Sequence, residues 1–440
     1  MYFILVTVAL DMMGAGLLIP VLPQFIATLT GQDLAHAAQY GGALAALFAV
    51  IQFLAAPVLG NLSDHFGRRP VLLVSLAAFG LNYLLMAQAP TLAWLFVAQG
   101  FAGLFGATTA TAGAYLADVT PPGERAHRFG MLGGAVGVGI IIGPFLGGVL
   151  GEHGMRLPFL AAAGITLLNF CYGLWVLPES LPPERRRPFA LHRAHVLGAF
   201  RSLAPLPFVT GVLGAYLLAQ LALQSIPATW PYYAMQRFGW GARDVGLSVG
   251  LYGAMSILGQ GLLVARLSRR FGSRVTAGFG LLMAITGFVG LALSGSGAIA
   301  IAFILPSGLG YMTGPSLNGL MSSLVPSDRQ GELQGAIASL TSGAMIVAPP
   351  VMTLLYSHFV RTHPALPGAP YLLAALLCAS ALALFLGVTR TLRTGEATPG
   401  DATPGDAAPG DAASAGGRQH QSRRIAPAGR EAQSRAASDG

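Results

Sequence analysis

Gly60-Asn61-Leu62-Ser63-Asp64-His65-Phe66-Gly67-Arg68-Arg69-Pro70-Val71-Leu72 is a charged island between two long apolar segments. Gly60 permits close helix approach and Gly67 a tight turn. Asp64 can face a helix N-terminus or an arginine, and Arg68 and Arg69 belong at a membrane boundary. Part of the island recurs: Leu62-Ser63, Phe66-Gly67 and Arg69 return as Leu267-Ser268, Phe271-Gly272 and Arg274, an offset of 205 residues. A second loop, Pro122, Glu124 and Arg125, returns as Pro326, Asp328 and Arg329 with an offset of 204. A charged loop between helices is common by itself. Two matches at equivalent points of the chain indicate a duplicated unit.

The segments around the island set its context. The 440 residues are 54% hydrophobic and only 10% charged, with 59 glycines and a mean hydropathy of +0.63. A soluble domain carries roughly 25% charged residues, so soluble enzymes, DNA-binding proteins and disordered scaffolds are excluded. A membrane-spanning helix takes about 20 apolar residues. Apolar windows fall at 2–28, 38–60, 70–88, 92–118, 128–150 and 157–177, then at 206–229, 244–265, 275–294, 298–324, 334–357 and 369–390. These are spans one to twelve of an all-α integral membrane protein. The first runs from Met1 past Leu10 to Leu29 without a basic region, as a span rather than a cleaved signal.

The net charge of +8 is carried by arginine alone, and its meaning lies in its position. Loops after even-numbered spans hold Arg68 and Arg69; Arg125 and Arg128; Arg185, Arg186, Arg187, Arg193 and Arg201; Arg266, Arg269, Arg270 and Arg274; and Arg329. The other loops hold Arg156, Arg237, Arg243 and Arg361. The positive-inside rule puts the richer set and both termini in the cytoplasm. The expected domains are a six-helix half at 1–177, a linker at 178–205, a second half at 206–390 and a disordered tail at 391–440. The tail repeats Ala-Thr-Pro-Gly-Asp at 397–401 and 402–406, and attraction of anionic lipid through Arg418, Arg423 and Arg424 is one reading of it. Cys171 and Cys378 lie in apolar segments and read as core hydrophobes.

Asp11 is the only acidic residue deep in any span. Ten residues at 1.5 Å each carry it about 15 Å into a layer of about 30 Å, near the midplane. A carboxyl there can be neutral at one stage of a cycle and ionised at another, as a proton carrier must be. The alternative is a protonated acid hydrogen-bonded to a neighbouring helix for packing.

Span five contains Gly139-Ile140-Ile141-Ile142-Gly143-Pro144-Phe145-Leu146-Gly147-Gly148. Gly139, Gly143, Gly147 and Gly151 form a stripe for close packing, and Pro144 removes a helix hydrogen bond. This Gly-x-x-x-Gly-Pro-x-x-Gly-Gly pattern resembles the motif of the drug/proton antiporter branch of the major facilitator superfamily. The island matches that superfamily's Gly-x-Leu-x-Asp-x-x-Gly-Arg-Arg signature at all six defined positions. The resemblance covers most of residues 1–390 and narrows to the tetracycline-resistance-type exporters through Leu10-Asp11 with Ile19-Pro20-Val21-Leu22-Pro23, Gly106-Ala107-Thr108, Ala117-Asp118, Leu177-Pro178-Glu179-Ser180, Ile226-Pro227-Ala228-Thr229, Arg237-Phe238-Gly239-Trp240 and Gln330-Gly331 with Leu333-Gln334-Gly335. It implies a major-facilitator fold of two pseudo-symmetric six-helix halves, a transport role for Asp11, and a cytoplasmic cluster of Asp64, Arg68, Arg69 and Asp118 that steadies the outward-facing state.

Four departures qualify it. Where the tetracycline exporters carry an aspartate, an arginine, a histidine and an aspartate for proton coupling and the metal-bound drug, this chain has Asn82, Gln99, Ser256 and Ala284. They set tetracycline itself apart from the expectation and leave Asp11 as the main proton candidate. Gln52, Gln99, Gln220, Gln224, Tyr252, Gln260 and Asn318 are the polar or aromatic residues expected to line a midplane cavity, with Asn82 and Tyr83 added from the resemblance. Each is equally readable as an interhelical hydrogen bond. With Asp11 facing a mostly uncharged cavity, an amphipathic neutral or cationic substrate is expected.

The sequence therefore predicts a secondary active transporter of the inner membrane. It would export a small drug-like compound, a tetracycline-like one among the candidates, in exchange for protons by alternating access. The alternatives are a proton-linked importer of a small metabolite and a non-transporting membrane receptor. A monomer in the lipid bilayer is expected, without enzyme activity, cofactor, metal or nucleic-acid partner.

Overall fold

The computed structural model describes residues 2–106, 108–186 and 207–395. Ala107, Arg187, Arg193, Arg201, most of the expected linker and the repeat-bearing tail lie outside the described residues. The described residues form a helical bundle with no strands.

Length and hydropathy identify ten membrane-crossing helices, and the pair Tyr2–Leu18 and Leu22–Thr30, bent by 44°, supplies one more. The bend falls at Pro20, which has no N–H to continue the helical ladder. One of the ten, Ala242–Leu293, is 52 residues long, about 78 Å at 1.5 Å per residue and too long for a single crossing. Gly272, with φ 81°, breaks it into spans eight and nine at the second copy of the charged island. Twelve spans result, in the predicted order. Span two runs Leu34–Phe66 and stops at Gly67, whose φ of 107° turns the chain into span three at Arg68–Ala87. Spans five, six, eleven and twelve are Arg125–His153, Leu157–Val176, Gln330–Thr362 and Ala369–Gly395. Span four is broken at Gly106 into Leu92–Phe105 and Thr108–Asp118.

The predicted end of span seven is corrected. Its window closes at residue 229, whereas the structure continues through Ser225–Phe238 to Gly239, a left-handed cap with φ 67°. The extra turns hold Trp230 and Tyr233, buried and stacked on each other and on Phe238. Spans eight and ten are also irregular near their centres. A π turn, Leu258–Leu263, follows Ala242–Ile257, and a 3-10 turn, Gly310–Met312, joins Gly297–Leu309 to Thr313–Leu324.

Large apolar side chains face outward, among them Trp175, Leu168 and Leu376. Lipid tails are as apolar as these side chains, so backbone proximity has to hold the helices together. Span five meets span one at glycines: a Cβ placed on Gly143 would lie 2.9 Å from the Gly16 Cα, and one on Gly147 would lie 2.7 Å from the Leu17 Cα. On its other side a Cβ on Gly148 would lie 2.9 Å from the Arg243 Cα of span eight. Spans two and eleven meet through Gly42 and Thr353 and through a 2.7 Å bond from Gln39 Nε2 to Ser357 Oγ.

These contacts between the first six and last six spans lie away from the arginine-rich loops. Near those loops Gly60, Gly130, Gly133 and Gly134 face open space. The described contacts that bridge the two sets of spans at Gly42 and Gly148 thus lie toward the end of the 31–33 and 239–241 turns. The close approach expected at Gly60 is corrected: a Cβ there would meet no atom within 4 Å among the described residues, because no other helix packs on that face of span two.

Candidate functional site

Asp11 is 6% exposed on a buried face of span one shared with Ile4, Thr7, Gly14 and Leu18. At a helical period this face is continuous, and its neighbours place it. Asn169 of span six donates to the Thr7 carbonyl at 2.9 Å, and a Cβ on Gly14 would lie 3.2 Å from Thr166 Oγ1 and 3.5 Å from Tyr83 Cε2. Asp11 sits between these two levels, turned toward spans three and six. The expectation that it faces the cavity between the two sets of spans is corrected: glycine-to-glycine contact of spans one and five fixes the rotation of span one. Among the described residues Asp11 has no ion pair and no hydrogen bond. Among the described residues the buried oxygens Thr7 Oγ1 and Asn169 Oδ1 at one level and Thr166 Oγ1 at the other have no partner, nor has Asn82 Oδ1 next to Tyr83 in span three. The Thr7 and Thr166 hydroxyls can donate to a carboxylate or accept from a carboxylic acid, whereas the amide oxygens only accept.

The other expected cavity residues fall into separate places. Tyr252 and Gln260 share a cavity of about 290 Å³ with Ile19, Ile140, Ser256 and Tyr311, and the Tyr252 and Tyr311 rings meet edge to face at 5.8 Å. Gln260 reaches it from the π turn. Gln52 lines a second cavity, about 280 Å³, with Thr109, Ser342 and Met345, and donates to the Gly106 carbonyl at the break of span four. Tyr83 lies beside the Gly14 level of span one, and the adjacent Asn82 donates to the Met86 sulfur at 3.6 Å. Gln220 is committed to Tyr216 and Thr341, at 3.2 and 3.4 Å. Gln224 marks the break between Pro207–Leu223 and Ser225–Phe238, and Gln99 is half-buried on span four. Asn318 lies nearer the arginine-rich end than the midplane and bonds Gln334 at 3.0 Å. Depth in the membrane is legible in a sequence; the direction in which a helix turns a side chain is set by its neighbours.

The charged island folds as a network. Asp64 pairs with Arg68 at 2.6 Å, and Arg68 also reaches Asp118 at 3.1 Å and Ser63 Oγ at 3.1 Å. Arg69 donates to the Leu174 carbonyl at 2.6 Å. Span three begins at Gly67, which offers no capping side chain, so its first N–H groups need an acceptor from elsewhere. Glu179 supplies it, accepting from the N–H of Arg68 at 2.8 Å and of Arg69 at 3.3 Å. That role was invisible in the sequence, whose only signal was an uncapped helix start. Gly67 lies against the same carboxylate. In the second copy Arg269 occupies the place of Asp64, so the network belongs to the first copy alone. Glu179→Ala is expected to cost about 0.5–2 kcal/mol, the range for losing a helix cap, and to lower the melting temperature in detergent; an unchanged melt would show that the cap is not stabilising.

Twelve spans with cavities between the first and last six describe a multi-pass membrane bundle of the transporter type. The sequence profile of the Major Facilitator Superfamily matches residues 4–349 and again 212–415, and the chain belongs to that superfamily. It is 38% identical over 379 residues to the tetracycline resistance protein, class C, of Escherichia coli, covering 86% of this chain and 95% of that protein. It is 39% identical over 360 residues to the class G protein of Vibrio anguillarum, covering 80% and 89%. Among solved structures, a variant of the nucleoside transporter NupG superposes with a TM-score of 0.73 at 12% identity, over 88% of this chain and 99% of that one, a likeness of fold alone.

Proposed function

We propose that this protein exports an amphipathic, drug-like compound in exchange for protons, as a monomer in the inner membrane with both termini cytoplasmic. The observation that carries the reading is Asp11, a carboxyl buried in a span, without a counter-ion, between levels whose Thr7 and Thr166 hydroxyls can donate to it or accept from it. In this reading residues 1–177 and 206–390 are rocking halves, and the arginine-rich end faces the cytoplasm. Substrate entering there and protonation of Asp11 from the far side alternate because each favours a different arrangement of the two halves, and that linkage through the rocking motion, rather than a shared cavity, makes exchange obligatory. Gly60, Asp64, Gly67, Arg68, Arg69 and Asp118 act as the cytoplasmic gate. Gly139, Gly143, Pro144, Gly147 and Gly148 keep spans one, five and eight in contact while it moves.

The relatives' names make tetracycline the first compound to try. The cavity of Tyr252, Ser256, Gln260 and Tyr311 has no charged residue in its lining, which favours neutral or singly cationic aromatic compounds over a metal-bound anion. Inverted, energised vesicles containing the protein should release lumenal protons when such a compound is added. Chelating divalent metal should leave that signal unchanged. No proton movement with any of a panel of amphipathic drugs would sink the reading.

A further inference from the structure

We propose that His36 is a second proton site, a latch between Asp33 and Arg361 that bridges the two sets of spans near the 31–33 turn and releases that end of the bundle when it binds a proton. The inference rests on the transport reading only for which side of the membrane supplies that proton.

Arg361 of span eleven approaches the His36 Nε2 with Nη1 at 3.0 Å, and His36 Nδ1 lies 2.8 Å from Asp33 Oδ1. A guanidinium has no acceptor, so Nε2 must accept and the ring hydrogen sits on Nδ1, donating to Asp33. The geometry thus assigns one neutral tautomer. Asp33 also accepts from the His36 backbone N–H at 2.8 Å, capping span two. That bond, with the imidazole and the Arg361 guanidinium, holds its carboxyl below the usual carboxylate range, so it serves the ring as an ionised acceptor. The His36 side chain is 31% exposed, within reach of protons from water.

A proton added at Nε2 removes the bond to Arg361 and puts two cations face to face. Asp33 is three residues ahead on the same helix and stabilises the imidazolium whether the bundle end is open or shut. Arg361 belongs to the other set of spans and opposes it only when shut. The proton therefore binds more tightly to the open form, and by linkage acid favours opening. Of the other titratable groups on the packed elements, Tyr356 of span eleven lies near enough to Asp33 to feel its charge, its hydroxyl donating to the Tyr232 carbonyl at 3.2 Å. His358 and His363 stack against Phe359, Tyr232 of span seven lies against Gly41, and Arg237 lines a cleft with Tyr356 and Val360. The neighbouring links, Gln39 with Ser357 and Gly42 with Thr353, carry no titratable group.

The test is a distance measurement that needs no transport. Spin labels at Thr91→Cys and Gly295→Cys, on turns of the latched end, are introduced into the full chain with Cys171→Ser and Cys378→Ala and read in lipid nanodiscs by pulsed electron resonance. Going from pH 8 to pH 5, the ratio of long to short distances should rise about fivefold, the scale of repulsion between two unit charges about 4 Å apart in water. His36→Gln, which keeps one acceptor and one donor but cannot charge, should abolish the rise; Arg361→Gln should shrink it; Asp11→Asn should leave it. No rise in the parent chain, or the same rise in His36→Gln, overturns the latch, as does a rise lost only in Asp11→Asn. Failure of proton exchange in the vesicle assay would remove the transport reading and leave this result standing.

Discussion

Asp11→Asn is expected to leave the protein folded and inserted while reducing uphill, proton-driven transport to the level of empty vesicles. The substitution keeps shape and volume and removes only the ability to gain and lose a proton. Its amide adds two donors between the levels of Asn169 and Thr166, whose Oδ1 and Oγ1 lack partners among the described residues, and a new buried hydrogen bond is worth about 1 kcal/mol. The variant should therefore melt at or slightly above the wild-type temperature. Downhill movement of substrate can survive, since the neutral side chain resembles the protonated one. Wild-type uphill transport by this variant would retire the proton role and leave Asp11 as a packing residue.

The largest structural effect is expected at Gly147→Val. A Cβ there would lie 2.7 Å from the Leu17 Cα and carbonyl carbon, against backbone that cannot swing aside. Overpacking in a core usually costs about 1–3 kcal/mol. Here the strain spreads along the seam, because Gly139 and Gly143 approach span one as closely two turns and one turn away. The variant should fail to accumulate in the membrane or elute as aggregate after detergent extraction. Gly60→Val is the control: that glycine faces open space, so normal abundance is expected, with slowed transport if the arginine-rich end must close during the cycle. Equal abundance of the two variants would refute the seam.

The contrast between these glycines also marks what a linear reading reaches. The span five stripe was legible because a four-residue repeat of glycine has one helical meaning, close approach along one face. Gly60 carried the same residue type without a repeat, and no other helix packs on its face of span two. The spans were legible wherever hydropathy alone pays for burial, and the break at Gly272 was foreshadowed by the repeated island. The last turns of span seven were not, because Trp230 and Tyr233 are satisfied by partners such as Ser248, which accepts from Trp230 Nε1 at 2.9 Å, and the Leu291 carbonyl, which accepts from the Tyr233 hydroxyl at 3.2 Å. Asp11 was legible in depth and residue type but not in direction. Glu179 and His36 escaped because their partners stand far off in the chain: Arg68 lies 111 residues before Glu179, and Arg361 lies 325 beyond His36.

Span five has given both of its faces to its neighbours, one to span one and one to span eight. A helix so occupied has little left with which to meet a substrate, and of the side chains around the tyrosine-lined cavity only Ile140 comes from it. Under selection by a new compound, adaptation would then have to draw on Ile226, Tyr252, Gln260 and Tyr311, carried by spans seven, eight and ten. The glycine helix would pass unchanged from variant to variant, a fixed axle in a protein whose chemistry is free to drift around it.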